Sequence, residues 1–294
     1  MRSGKSFGQA HKQTMKKINS FSFQGVNGAY SELAGKNMYP DAESHPCSTF
    51  EDMFEQVRNG NVDAAMVPIE NSLAGRVADT QRLIPESNLK ITSEYFLEVN
   101  HNLMCIKGAK IIDIKRIHSH EQGIAQCRNK ILKLNKEMVV EADTAGSAKL
   151  ISEINNKEDA AIASELAAKI YNLEILETNF QDLSNNVTRF LVMKNDLEDI
   201  DPSSGKIITT LVFNVRSIPA ALYKCLGGFA SNGVNITKLE SYVHPQGFDV
   251  AQFYIDFEGH PDHPSVKLAL EEMKFFCKHL KILGVYEKSS FRKK

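Results

Sequence analysis

From residue 21 onward the chain alternates short apolar runs with helical periodicities. Phe21-Ser22-Phe23 predicts a short strand, followed by Gly25 and Gly28 and a helix from about Ala29. Thr49 stands where an N-cap belongs and Asp52 takes the capping-box position. Phe50, Met53, Phe54 and Val57 then share one helical face. Residues 63–69 are too continuously apolar for a half-exposed strand, so they predict a buried one. Residues 89–99 and 103–106 predict further strands. Ile117 leads into His118-Ser119-His120 and then a helix through Ile124, Cys127, Ile131 and Leu134. A strand at 138–140, a helix at 145–154, a strand at 160–163 and a helix at 165–171 follow. Repeated strand–helix units predict an α/β fold with mainly parallel sheets and helices on both faces. Residues 21–195 divide into two lobes, 21–98 and 99–180, with 181–195 returning to the first. A cleft between lobes is the default seat for a small ligand.

Residues 196–206 predict a linker, acidic at first and then Asp201-Pro202-Ser203-Ser204-Gly205. Beyond it the texture changes. A strand at 207–215 precedes Pro219, which opens a helix through Leu222, Leu226 and Phe229, and Gly233 closes that helix. Strands at 235–242 and 250–257 are joined around Pro245-Gln246-Gly247. A helix at 263–279 and a strand at 282–286 complete the series. The order βαββαβ over 207–288 is ferredoxin-like, with 289–294 as a tail. A unit this small, burying one sheet face on two helices, predicts pairing with another copy.

Composition narrows the setting. With 294 residues, 42% hydrophobic and 24% charged, the chain suffices for two or three domains. A formal charge of −1 gives no basic field for nucleic acid or a membrane surface. No apolar run approaches the roughly 20 residues of a membrane span. Five scattered cysteines, never spaced CxxC, predict reduced buried thiols in a cytoplasmic protein. Residues 1–20 hold five Lys/Arg and no Asp or Glu. They predict a disordered extension, since organelle-targeting peptides favour Arg where Lys dominates here.

The polar clusters fall at predicted strand ends, where α/β sites are built. Asn185-Asn186-Val187-Thr188-Arg189-Phe190 puts amides, a hydroxyl and a guanidinium on one segment. Arg189 can hold a carboxylate bidentately, and Thr188 can donate a proton in a dry site. Glu70-Asn71-Ser72 offers neutral donors, although a capped turn accounts for it equally. Ser119, placed at a helix N-terminus, suits an anion, and Gln126 shares a helical face with Gln122. His118 and His120 at i and i+2 lack partners at metal-ligand spacing. Asp143-Thr144 is accounted for by capping alone. Gly25, Gly28 and Ser31 do not form GxGxxG, no Walker lysine follows, and neither GxSxG nor HExxH occurs.

Taken in order, the motifs resemble the prephenate dehydratase family over nearly the whole chain. They are Phe23-Gln24-Gly25 through Tyr30-Ser31; Val67-Pro68-Ile69-Glu70-Asn71-Ser72 with Gly75; His118-Ser119-His120 with Gln122, Gln126 and Cys127; and Asn186 with Thr188-Arg189-Phe190. Residues 218–241 resemble that family's ACT regulatory domain. The resemblance implies a two-lobed periplasmic-binding-protein-like catalytic core. It implies conversion of prephenate to phenylpyruvate with loss of CO₂ and the ring hydroxyl, using no metal or organic cofactor. Thr188 matches the catalytic threonine, and Asn71, Ser72, Ser119, Gln126, Thr144 and Arg189 match substrate-cleft positions. An L-phenylalanine site where two ACT domains meet maps onto Ala220, Leu222, Asn235, Glu240 and Ser241, implying a homodimer or homotetramer. The family's Gly-Ala-Leu is Ala220-Ala221-Leu222 here, its Glu-Ser-Arg-Pro is Glu240-Ser241-Tyr242-Val243, and Glu121 replaces a usual proline. Arogenate dehydration is the close alternative. A non-catalytic amino-acid sensor is the distant one, since a sensor needs no Thr188 beside Asn71, Ser119 and Gln126.

Overall fold

The computed structural model describes residues 17–197, 199–243 and 251–292. The first lobe contains β1 (Ser20–Gln24), α1 (Tyr30–Met38), β2 (Glu43–Cys47), α2 (Phe50–Arg58), β3 (Ala64–Asn71), β4 (Gly75–Arg76), α3 (Ala78–Leu83) and β5 (Lys90–Glu98). The second runs through β6 (Asn102–Cys105), β7 (Arg116–His120), α4 (Glu121–Gln126), α5 (Arg128–Leu134), β8 (Glu137–Glu141), α6 (Thr144–Ile154), β9 (Asp159–Ala163), α7 (Glu165–Ile170) and β10 (Glu174–Glu177). β11 (Val187–Lys194) returns to the first lobe. The C-terminal domain follows with β12 (Ile207–Val215), α8 (Ala221–Ser231), β13 (Ile236–Val243), β14 (Ala251–Glu258), α9 (Pro264–Phe276) and β15 (Cys277–Glu287).

Two sheets organise these elements. The second lobe has its own five-stranded sheet, ordered β10-β6-β9-β7-β8. The first lobe and the C-terminal domain share a ten-stranded sheet, ordered β13-β14-β12-β15-β5-β11-β3-β1-β2 with β4 on β3. Parallel pairing is confined to β1 with β2 and β3, β7 with β8 and β9, and β15 with β5. β11 runs antiparallel to both β3 and β5, and β6 to β9 and β10, so the sheets are mixed rather than mainly parallel. The reason is topological: a strand that crosses between lobes and returns re-enters its sheet in the opposite sense.

The junction of the two domains is tight. β15 meets β5 at Gly284 and Ile91, where any Cβ on Gly284 would collide with the Ile91 carbonyl. One buried cluster contains Ile91, Leu191 and Met193 together with Ile208, Val212, Tyr254, Leu283 and Tyr286. Ile200, from the segment expected to be a linker, packs against the same cluster.

Local differences from the sequence expectations have physical causes. Ile18 is buried and Ser20 begins β1, so the last residues of the segment assigned to the extension belong to the fold; residues 1–16 lie outside the described residues. β2 is a polar edge strand carrying Pro46, tolerated where no partner needs its N–H. The helix after His120 breaks at Cys127 (φ −114°, ψ 7°), where Asp182 accepts the N–H groups of Asn129 at 2.8 Å and Lys130 at 3.1 Å. α9 ends at Phe276 because β12 draws Cys277 and His279 into its ladder, opposite Val215 and Asn214. The turn expected at Pro245-Gln246-Gly247 lies outside the described residues. Among the described residues no helix is long and apolar enough to cross a membrane.

Candidate active site

β11 and β3 decide the site by register. Thr188 pairs with Asn71 and Arg189 with Glu70. Successive strand residues face opposite sides, so one pair turns toward the second lobe and the other toward the C-terminal domain.

On the first side Asn71 closes β3. Its Oδ1 accepts the backbone N–H groups of Leu73 at 2.9 Å and Ala74 at 2.8 Å. Its Nδ2 donates to Asn186 Oδ1 at 2.7 Å and to Thr188 Oγ1 at 2.9 Å. Asn186 Nδ2 donates to Gln126 Oε1 at 2.7 Å, which ties the first lobe to α4 of the second. His101 Nε2 lies 2.7 Å from the same Gln126 oxygen, and the Tyr30 hydroxyl lies 2.8 Å from His101 Nδ1. Burial lowers the His101 pKa, opposed in part by the Gln126 bond. All these groups are neutral hydrogen-bonding side chains.

The other expected cleft residues divide. Ser119 and Thr144 come together in the second lobe, since a Cβ built on Gly123 would touch both, one turn before Gln126. Ser119 is fully buried and its hydroxyl donates to the Ile162 carbonyl at 2.8 Å. It lies within β7, and the cap of the six-residue α4 is His120, so Ser119 does not occupy the helix N-terminus assigned to it. Thr144 opens α6, whose cap is Asp143 bonding the Gly146 N–H. Ser72 is committed to backbone, donating to the Asn185 carbonyl and accepting from the Val187 N–H, both at 2.9 Å. It anchors the segment that presents Thr188.

Arg189 is absent from this cluster. It is 1% exposed and bonds Glu94 at 2.9 Å, Glu70 at 3.0 Å, Asp256 at 2.7 Å and the Tyr286 hydroxyl at 2.9 Å. Lys238 pairs with Glu70, and Arg292 with Glu94 and Asp256. Burial alone would raise the Asp256 carboxyl, but Arg189, Thr210 and Arg292 outweigh it and hold it below the usual range. The expectation that Arg189 grips a substrate carboxylate is therefore corrected: β-strand alternation turns it into the domain junction.

His118 is also occupied, with Nδ1 2.9 Å from Glu141 and Nε2 3.1 Å from Asp159. Among the described residues no group of three or more His, Cys, Asp or Glu side chains is arranged to hold a metal. Cavities of about 370 and 290 Å³ lie between the first lobe and the C-terminal domain, the smaller beside Arg189 and Lys238.

The five expected effector residues do not converge within one chain. Ala220 precedes α8 with φ 59°, Leu222 packs inside the C-terminal domain, and Asn235, beyond the far end of that helix, bonds Glu258. Glu240 pairs with Lys238 at 2.8 Å and accepts from Gln81 of α3, so its carboxylate belongs to the junction with the first lobe. The Ser241 carbonyl accepts from Arg76 at 3.1 Å.

Sequence reasoning passed over His101 as a site residue. The available signal was the polar triplet Asn100-His101-Asn102, which interrupts two apolar strands where the chain crosses between lobes.

The family model described as prephenate dehydratase matches residues 21–198. A Komagataeibacter europaeus protein named a bifunctional N-acyl-homoserine lactone acylase/prephenate dehydratase is 45% identical over 272 residues, 92% of this chain and 97% of the relative. The chloroplastic arogenate dehydratase/prephenate dehydratase 2 of Arabidopsis thaliana is 40% identical, spanning 90% of this chain and 71% of the relative. The crystal structure of an Arthrobacter aurescens prephenate dehydratase in complex with L-Phe superposes with a TM-score of 0.84 at 31% identity, covering 93% of this chain and 91% of that one. The chain, a lyase with Thr188 set in a neutral hydrogen-bonded cluster between two lobes, belongs to the prephenate dehydratase family.

Proposed function

We propose that the chain converts prephenate to phenylpyruvate, with Thr188 as proton donor to the departing ring hydroxyl. The carrying observation is the bonding at Thr188. Its oxygen accepts from Asn71 Nδ2, and its own proton has no protein acceptor among the described residues. The ring C–O bond breaks as the C–C bond to the ring carboxylate cleaves. CO₂ leaves, its electrons complete the aromatic ring, the hydroxide leaves as water with the Thr188 proton, and a solvent proton restores the Thr188 hydroxyl. Lobe contact over the cluster would exclude water and strengthen each dipole aimed at the substrate.

Turnover of purified protein is followed by ultraviolet absorbance of the aromatic product. Arms with prephenate and arogenate use this readout, and an arm with an N-acyl-homoserine lactone, whose hydrolysis gives no aromatic product, is read by the primary amine released; together they cover the activities named for the relatives. Thr188→Ala is expected to lower prephenate turnover by roughly 10²–10⁴ with an unchanged urea midpoint. Near-wild-type turnover would remove Thr188 from the chemistry.

We propose further that the C-terminal domain is an ACT domain that binds L-phenylalanine where two copies meet, drawing on Ala220, Leu222, Asn235 and Ser241. The Arthrobacter complex with L-Phe and the terminal position of β13 in the sheet support this reading. Tyr242, where the family shows arginine, packs instead against the first-lobe core. Calorimetry with L-phenylalanine tests it, and no heat at millimolar ligand would count against it. Five free, buried thiols fit a cytoplasmic setting.

A further inference from the structure

The two crossings between lobes lie side by side. The Val99 N–H donates to the Asn186 carbonyl at 2.7 Å, His101 N to Gln181 Oε1 at 3.0 Å, and Phe180 N to the His101 carbonyl at 2.6 Å. His101 and Asn186 therefore sit on the hinge. His101 is 3% exposed, and its ring meets Tyr30 edge-on at 5.5 Å.

The direction of every hydrogen bond in the cluster follows from one anchor. Asn71 accepts two backbone N–H groups, and only its oxygen can do so. Its nitrogen is thereby the atom facing Asn186 and Thr188, so Asn186 presents oxygen to Asn71 and nitrogen to Gln126. The Gln126 atom between Asn186 and His101 must then be oxygen. His101 Nε2, 2.7 Å from that oxygen, must carry a hydrogen. In a neutral ring Nδ1 is an acceptor, and it takes the single Tyr30 hydroxyl proton across 2.8 Å in competition with the Asn100 carbonyl, to which the same hydroxyl can donate at 3.0 Å. Burial of the ring favours the neutral form, and Tyr30 and Cys127 nearby are both held protonated by burial.

We infer that His101 is a positioning residue for the reaction: a neutral Nε2–H imidazole, held by Tyr30, that locks the Gln126 amide through its oxygen. The lock keeps Gln126 Nε2 turned away from Asn186. Among the described residues that nitrogen has no protein acceptor. The Gln126 amide and the Thr188 hydroxyl are then two neutral donors left for the substrate. Because the chain of bonds runs from Thr188 and Asn71 in the first lobe through Asn186 to Gln126 in the second, it is complete only when the lobes meet. This inference rests on the proposed dehydratase activity, and it adds the residues that orient its donors.

The test has an arm independent of activity. Full-length protein with ¹⁵N-labelled histidine is examined at neutral pH by long-range ¹H–¹⁵N correlation, with His101 assigned by its loss in H101Q. The expected ring has protonated Nε2 and bare Nδ1; the opposite tautomer, or a charged ring, overturns the inference. The kinetic arm compares two substitutions. H101Q keeps a donor where Nε2 stood, and H101N keeps only the Nδ1 position. H101Q should hold kcat within about tenfold of wild type and H101N should lose about 10²-fold, with KM and the urea midpoint little changed in both. Y30F should lower kcat in the wild-type background and add nothing to H101N. Equal losses in H101Q and H101N, or losses carried by KM, overturn the inference. Wild-type protein inactive on prephenate and arogenate defeats the dehydratase reading, while the ring tautomer still decides the structural half by itself.

Discussion

Replacing Arg189 with leucine separates the two roles its sequence context allowed. In the structure three cations, Arg189, Arg292 and Lys238, face four carboxylates, Glu70, Glu94, Glu240 and Asp256. The Glu94 and Asp256 side chains are 0% exposed. Arg189→Leu leaves Arg292 as their remaining cation, at 2.7 and 3.3 Å, and strips a donor from the Tyr286 hydroxyl. Removing one partner of a buried ion pair costs about 3–5 kcal/mol. At roughly 2–4 °C per kcal/mol for a large domain, Tm should fall by about 10 °C.

The pH dependence carries a sign. Asp256 and Glu70 have lowered folded pKa values because the cations outweigh their burial, so their contribution is present above the unfolded carboxylate range, near pH 4. It is lost as pH falls through the folded values. In the variant the uncompensated buried carboxyls gain by protonation, so the stability gap should be largest at neutral pH and narrow toward pH 4. Urea unfolding followed by circular dichroism at several pH values reads this directly, with prephenate kinetics in parallel. An unchanged urea midpoint with KM raised about a hundredfold would refute the placement and restore Arg189 as a substrate clamp.

Three further outcomes follow from the geometry. Gly28, at φ 92°, lies so close to Ala167 across the cleft that a Cβ would stand 2.7 Å from its Cα; Gly28→Ala should prop the lobes apart and lower turnover between about tenfold and a hundredfold, whereas full turnover would mean the lobes need not meet there. Ala220→Gly should stabilise the protein by about 0.5–1 kcal/mol, because Ala220 holds a left-handed conformation at φ 59°; a lower urea midpoint would contradict this. The five cysteines are buried, and burial pushes Cys105 to about 11 and Cys127 and Cys277 to about 12; a thiol reagent at neutral pH should find none of the five within minutes in native protein and all five in urea, and fast labelling of native protein would contradict it.

Much of the local structure was legible because local physics carries it. The Thr49 cap, with Asp52 N–H donating to Thr49 Oγ1 at 3.0 Å, is a short-range bond written in four residues. The buried run of β3 and the glycine ending α8 are equally local. Where expectations failed, a distant partner decided. Cys277 to His279 became strand because β12 needed a neighbour, and the helix after His120 broke because Asp182 caps its second half from the returning crossover.

By itself the sequence determined which residue types stand at the strand ends and on the helix after His120, and so placed Asn71, Gln126 and Thr188 among the site candidates. It could not say which way neighbours in one strand point. Thr188 and Arg189 are adjacent in the chain and carry equally plausible chemistry. A half-period of the β-strand sends the first to the cleft and the second into a buried ion network, because β11 pairs in that register with β3 and has the C-terminal domain packed on its other face. Only the tertiary structure could make that choice, since the groups that receive Arg189 lie up to 119 residues away along the chain.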